Sequence, residues 1–284
     1  EGPGQKRVRG RGLASWAHIM MFAGFMMLFL GTTLLEVDHL AAKVSEKLHF
    51  HHGWYYVIYE GALDVFGLLF ILGISLFAGR RMRRPSSVGH RASDWTVLGL
   101  FLGIGVTGYF VEGLRIVWDR PEGLALWCSP VGAGLAKLFG EMSEPASRSA
   151  HLAVWWVHSL MVFGFFAMIP FTRLLHLITG PANLFLSTPS LGQLTPISIE
   201  EVEETGVVGV SEIAHLDQQQ LLSLDACMEC GRCDDACPAF ASGKPLSPKA
   251  VVQDLKSLME ATANGESLAL HGDTIQAETV WACT

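Results

Sequence analysis

Residues 227–238 read Cys-Met-Glu-Cys-Gly-Arg-Cys-Asp-Asp-Ala-Cys-Pro, which sets four cysteines at C-x2-C-x2-C-x3-C-P spacing. One tight loop of this kind aims three thiolates at three corners of a [4Fe–4S] cube. The fourth, before its proline, ligates a neighbouring cluster in two-cluster proteins. A zinc ribbon would need two separated C-x2-C pairs. Five of the six cysteines, Cys227, Cys230, Cys233, Cys237 and Cys283, fall in cluster-type runs. That usage fits a reducing compartment and not a secreted disulfide scaffold. Cys128, beside Trp127, reads as a small apolar residue.

A second chemistry lies in the apolar stretches, which contain His18, His158 and His176. Ionisable residues at membrane depth are expensive and usually functional. His158 and His176 are 18 residues apart. On one continuous helix that is five turns, which puts them on a shared face about 27 Å apart along the axis. His151 lies near that face. Bis-histidine haem b needs imidazoles from two helices, each with its second ring nitrogen held by a partner. One membrane histidine reads equally as a packing or proton-relay residue, whereas three on two helices beside this cysteine run point to haem.

The elements that must position these groups are helices. Half of the 284 residues are apolar and mean hydropathy is +0.35, too high for a plain soluble domain. Four stretches reach the roughly 20 residues that a bilayer requires. They are Leu13–Leu35, Tyr55–Ala78, Trp95–Val117 and His151–Ile169, the last continuing through Pro170 to about Ile178. Cations flank them unevenly: Lys6, Arg7, Arg9 and Arg11 precede the first, and Arg80, Arg81, Arg83, Arg84 and Arg91 separate the second from the third. Loops 36–54 and 118–150 carry mixed charge. By the positive-inside rule the cysteine run then faces the cytoplasm. Residues 190–284 hold 15 acidic against 4 basic residues, and residues 1–189 hold 12 against 16. An acidic soluble part thus follows a basic membrane part.

Gly103-Ile-Gly105-Val-Thr-Gly108 matches a dinucleotide-binding fingerprint in form. It lies inside an apolar helix and not in a βαβ unit, so it reads as helix packing. The acidic run Glu200–Glu204 and Pro181, Pro189 and Pro196 mark a connector. A short helix over Asp217–Leu224 leads into the cysteines, and Ser247-Pro248 opens another that runs to about Ala261. The chain divides into a transmembrane part over 1–180, a connector over 181–221 and an α-helical iron–sulfur part over 222–284. At membrane depth Glu60 and Asp64 share a helix face, and Glu112 and Arg115 accompany them. These four read as quinone proton groups, as a propionate partner for Arg115, or as mutually paired residues.

His158 followed by Pro170-Phe-Thr-Arg173-Leu-Leu-His176 resembles the last helix of the respiratory nitrate reductase gamma subunit, a five-helix dihaem cytochrome b. Ala17-His18-Ile-Met-Met-Phe-Ala-Gly24-Phe resembles that family's second helix. Leu224-Asp225-Ala-Cys227, the cysteine run and Gly243-Lys-Pro-Leu-Ser-Pro248 resemble membrane iron–sulfur oxidoreductases related to heterodisulfide reductase. The likeness is greatest to the branch acting as electron-transfer-flavoprotein:menaquinone oxidoreductase. The resemblance implies an all-α fold: a transmembrane bundle of four spans, with a fifth upstream of Gly4, followed by a dicluster ferredoxin domain and a cysteine-rich domain beyond Thr284.

By position it makes His18 and His176 ligands of one haem b and His158 a ligand of a second. Leu28 stands where the partner of His158 belongs, which leaves one haem, or two with a substitute among His39, His49, His51 and His52. Cys227, Cys230 and Cys233 would hold one [4Fe–4S] cluster, and Cys237 and Cys283 would belong to another. The implied activity is quinone-linked oxidoreduction in the inner, cytoplasmic membrane. Electrons would pass from electron-transfer flavoprotein, or another soluble redox donor, to menaquinone or another quinone. The lipid bilayer is the other partner, and no nucleic acid is expected. The alternatives are quinol oxidation feeding a heterodisulfide or sulfur-compound reductase, and a membrane anchor with a purely structural cluster.

Overall fold

The computed structural model describes residues 12–83, 89–121, 123–187, 198–206, 208–266, 269–272 and 274–283. The basic run Lys6–Arg11, Arg84, Pro189 and Pro196 lie outside them. The described residues are helical and include no strand, only an isolated bridge between His271 and Ile275. They form two compact units. One holds the long helices as far as Met168; the other runs from Ile169 onward and includes Gly89 and His90.

In the first unit α1 (Leu13–Val44), α2 (Gly53–Met82), α3 (Ala92–Asp119) and α6 (Glu144–Met168) are each long and apolar enough to cross a membrane. Two shorter helices, α4 (Leu124–Cys128) and α5 (Pro130–Phe139), lie between α3 and α6 in sequence. Lipid offers no hydrophobic drive for helices to associate, so contact depends on close backbone approach and interhelical hydrogen bonds. Glycines supply the approach. A Cβ on Gly24 would stand 2.6 Å from the Phe66 carbonyl oxygen, and one on Gly73 would stand 2.7 Å from the Met21 nitrogen. These positions lock α1 against α2. Of the fingerprint glycines, Gly103 and Gly105 lie close against the side chains of Met161 and Ile71, while Gly108 stands at ordinary contact distance from His158.

Hydroxyls supply the bonds. Tyr59 donates to the Gly31 carbonyl at 3.1 Å, joining α2 to α1. Tyr109 donates to the Asp64 carbonyl, joining α3 to α2. Fully buried Ser147 donates to the Leu114 carbonyl at 2.8 Å, joining α6 to α3.

The fourth span departs from the sequence expectation. Its helix ends at Met168 and does not continue to Ile178. Pro170 lacks an N–H and disfavours helix at the residue before it, which explains the stop. Thr172 then accepts from the Leu174 N–H at 3.3 Å and starts a short 3₁₀ turn over Arg173–Leu175. A separate helix, α7 (His176–Leu186), follows and carries Pro181 inside it. His158 and His176 therefore stand on different helices, and the shared face expected from their 18-residue spacing does not exist.

Within the second unit follow α8 (Ile199–Thr205), α9 (Gln218–Asp225), α10 (Arg232–Ala236), α11 (Pro238–Ala241), α12 (Pro248–Ala263) and α13 (Ala277–Trp281). Asp217 caps α9 by accepting from the Gln220 N–H at 2.7 Å, and Ser247 caps α12 by accepting from the Ala250 N–H at 3.1 Å. The apolar side chains of Ile213, Leu224, Leu258, Leu270 and Ile275 form the core.

The α1–α2 crossing gives a direct test. Gly24→Leu and Gly73→Leu should each destabilise the helical unit by about 1–3 kcal/mol, the usual cost of overpacking. Gly79→Ala, where an added Cβ meets nothing within 4 Å, should cost nothing and gain about 0.5–1 kcal/mol from helix propensity. Thermal unfolding in detergent, followed by circular dichroism, measures all three.

Candidate functional site

The cysteine run is a loop between α9 and α11 with α10 inside it. Two left-handed residues, Glu229 at φ +50° and Gly231 at φ +75°, turn the backbone between successive cysteines. None of the six cysteines forms a disulfide. Cys227 Sγ accepts from the Gln253 amide at 3.3 Å, and Cys237 Sγ accepts from the Phe240 N–H at 3.5 Å. Burial pushes the Cys233 thiol up, and the charges of Asp234 and Cys227 add to that against backbone N–H bonds.

Among the described residues, no three His, Cys, Asp or Glu side chains converge as on a single metal ion. A cube asks for something else, one thiolate at each of several irons. Four thiols on one loop, two already accepting N–H bonds of the kind that tune such clusters, fit that requirement.

Asp234 holds the loop to α12. Its carboxylate is 4% exposed and accepts at Oδ1 from Ser247 Oγ and from the Lys249 N–H, both at 2.9 Å, while Lys249 Nζ lies 3.5 Å from Oδ2. At the other end of the loop, Lys256 pairs with Asp225 at 3.1 Å.

The three histidines expected to hold haem differ in what holds them, and His176 lies outside the four apolar spans. His158 Nδ1 lies 2.9 Å from Thr107 Oγ1, whose proton goes to the Gly103 carbonyl at 2.7 Å. With that proton on the Gly103 carbonyl, the hydroxyl accepts from His158 Nδ1–H, the tautomer that leaves Nε2 as the lone-pair nitrogen. His176 Nδ1 lies 2.6 Å from the Arg173 carbonyl, which can only accept, and the same tautomer follows. His18 contacts the rings of Phe22 and Phe77 at 6.3 and 6.4 Å. Among the loop histidines, His49 Nδ1 pairs with Asp38 Oδ2 at 2.8 Å, and the His51 ring packs on Tyr59 at 4.6 Å. Desolvation pushes the His51 imidazolium down, partly offset by the Asp38 charge.

The four polar residues at membrane depth fall into two arrangements. Arg115 binds Glu112 bidentately at 2.8 and 3.0 Å, Glu60 at 2.9 Å, Asp119 at 2.8 Å and the Tyr56 hydroxyl at 2.9 Å. Ser129 adds a 3.3 Å bond to Glu60. Asp64 instead accepts from the N–H groups of Val131 and Gly132 at 3.2 and 3.3 Å, capping α5. Sequence reasoning did not identify Thr107, Gln253, Asp234 or Glu229, and it gave Arg173 no role of its own. Only Glu229 and Asp234 had a local sign, their places within the cysteine run.

Long apolar helices followed by a ferredoxin-type cysteine loop define a multi-pass membrane protein with an appended iron–sulfur motif. The nitrate reductase gamma subunit family matches residues 9–191, and the chain belongs to that family. It is 30% identical to an "EtfAB:quinone oxidoreductase" of Syntrophomonas wolfei, over 99% of this chain and 43% of that protein. It is 26% identical to "Probable iron-sulfur-binding oxidoreductase FadF" of Bacillus subtilis, over 99% of this chain and 44% of that one. One subunit of the dihydromethanophenazine:CoB–CoM heterodisulfide reductase of Methanosarcina thermophila is 24% identical, over 63% of this chain and 61% of its own. The chain thus spans less than half of the first two relatives. No solved structure matches it.

Removing the Asp234 carboxylate tests the loop anchor. Asp234→Ala leaves the Lys249 N–H and the Ser247 hydroxyl without their acceptor, at a cost of about 1–3 kcal/mol. Hydrogen exchange should speed up in the first turn of α12 and stay unchanged in α1–α3.

Proposed function

We propose that this chain carries electrons between a soluble donor and a membrane quinone, using an iron–sulfur cluster and haem b. The observation that carries the reading is the oxygen partner at Nδ1 of His158 and of His176. Each ring donates Nδ1–H to an oxygen of the chain and keeps Nε2 as a ligand atom, in a chain that also holds a complete C-x2-C-x2-C-x3-C-P loop. Cys227, Cys230 and Cys233 are assigned to one [4Fe–4S] cluster, and Cys237 and Cys283 to a second. His18, His158 and His176 supply the imidazoles for one or two haems b. Bound there, these groups would supply one-electron transfer.

The chain's own residues do the rest. Gln253 and the Phe240 N–H stabilise thiolate charge, while Thr107 and the Arg173 carbonyl fix the ring tautomers. Glu60 and Glu112, both gathered on Arg115, are the carboxylates assigned to the quinone proton, while Asp64 caps α5. The flavoprotein donor and quinone acceptor follow from the Syntrophomonas relative's name. Arg80 and Arg81 in the last turn of α2, with Arg83 and Arg91 between α2 and α3, support a cytoplasmic position for the cysteine loop. The second reading, quinol-type oxidation feeding a heterodisulfide reductase, is favoured by the Methanosarcina relative.

Purified full chain should bind iron, sulfide and haem. Cys230→Ser should lose iron and sulfide and keep haem; His158→Ala should lose haem and keep iron and sulfide. Reduced electron-transfer flavoprotein should reduce the centres, and a quinone analogue should reoxidise them. Reduction by quinol alone, with none by the flavoprotein, would move the assignment to the second reading.

A further inference from the structure

Arg173 makes two kinds of attachment inside the second unit. Its guanidinium donates to Glu229 Oε2 at 2.7 Å and to the Gly89 carbonyl at 3.0 Å. Its own carbonyl accepts the Nδ1–H of His176 at 2.6 Å. Glu229 stands between Cys227 and Cys230 and holds a left-handed φ of +50°. A side chain keeps such a conformation only when its surroundings enforce it. Both members of the Arg173–Glu229 pair are 13% exposed. Water and salt therefore screen the pair far less than a surface pair. The turn that carries Arg173 is also fixed locally, by the Thr172 cap and by Leu174, which is 5% exposed.

We propose that Arg173 is a positioning residue that couples the turn between Cys227 and Cys230 to the imidazole of His176. The inference rests on the reading above, in which that turn carries cluster ligands and His176 a haem ligand. Orientation of a ligating ring, and the strength of the bond at its other nitrogen, set how strongly it donates to a metal. The peptide that provides the acceptor for His176 belongs to the residue whose side chain grips Glu229. Releasing the guanidinium frees the strained turn and loosens that peptide together. Coupling of this kind is reciprocal, so a change made in the cysteine turn is felt at His176. A residue that only braced the turn would leave the histidine unaffected.

The test uses full-length chain in detergent, with its centres bound, and reads electron paramagnetic resonance and midpoint potentials. Wild-type protein is measured first: absence of a haem or cluster signal there would defeat the underlying reading and not the coupling alone. With both signals present, Glu229→Gln should raise the cluster potential, because one negative charge beside it is lost. It should also shift the low-spin haem g-values, the effect reaching His176 by way of Arg173. Arg173→Gln should shift the haem g-values in the same sense, and Arg173→Lys should fall between it and wild type. The proposal is overturned if Glu229→Gln and Arg173→Gln alter the cluster signal while the haem signal keeps its wild-type g-values and potential. If Arg173→Gln is recovered without haem, Glu229→Gln and Arg173→Lys decide the matter by the same criterion.

Discussion

A neutral imidazole has one N–H, and where that proton sits decides what the ring can do. In His158 it is taken by the Thr107 hydroxyl, and in His176 by the Arg173 carbonyl. The Thr107 proton already goes back to Gly103 within α3, and a carbonyl has no proton to give. Both rings are thereby held with Nε2 unprotonated, the state that a metal ligand needs. The same bonds fix ring orientation, and they come from ordinary helix and turn geometry.

Polar groups at membrane depth follow a related constraint, because lipid cannot hydrogen-bond to them. Arg115 answers it by gathering Glu60, Glu112, Asp119 and Tyr56. Asp64 answers it by spending both oxygens on the N-terminus of α5. The first N–H groups of that helix would otherwise have no partner. The two carboxylates lie one turn apart on α2 yet have different tasks. One stabilises the fold. The other belongs to a charged cluster in which a proton could be held or passed.

Local features of the chain were readable from its residues, and long-range partners were not. The Ser247-Pro248 start of α12, the helix before the cysteines and the four apolar spans depend on neighbours within a few positions, and each is found. The G-x-G-x-x-G in α3 was readable as packing because its context is a helix. The break after Met168 had its signal in Pro170, but the apolar run beyond the proline masked it. Thr107, Asp234, Gln253 and Arg173 act on residues 51, 13, 26 and 56 positions away. Spacing rules describe one helix face at a time, and these contacts arise only once separate helices pack. The choice between pairing and capping for Asp64 is of the same kind, since its α5 partner Val131 lies 67 residues further on.

The central claim is that His158 and His176 present Nε2 to haem in a chain that also binds an iron–sulfur cluster. Low-temperature electron paramagnetic resonance of the purified full chain tests it most directly. The account predicts a low-spin haem signal with nitrogen axial ligands, altered by His158→Ala or His176→Ala, together with an iron–sulfur signal on reduction. Iron–sulfur protein without any haem signal, or a haem signal untouched by both substitutions, would contradict it.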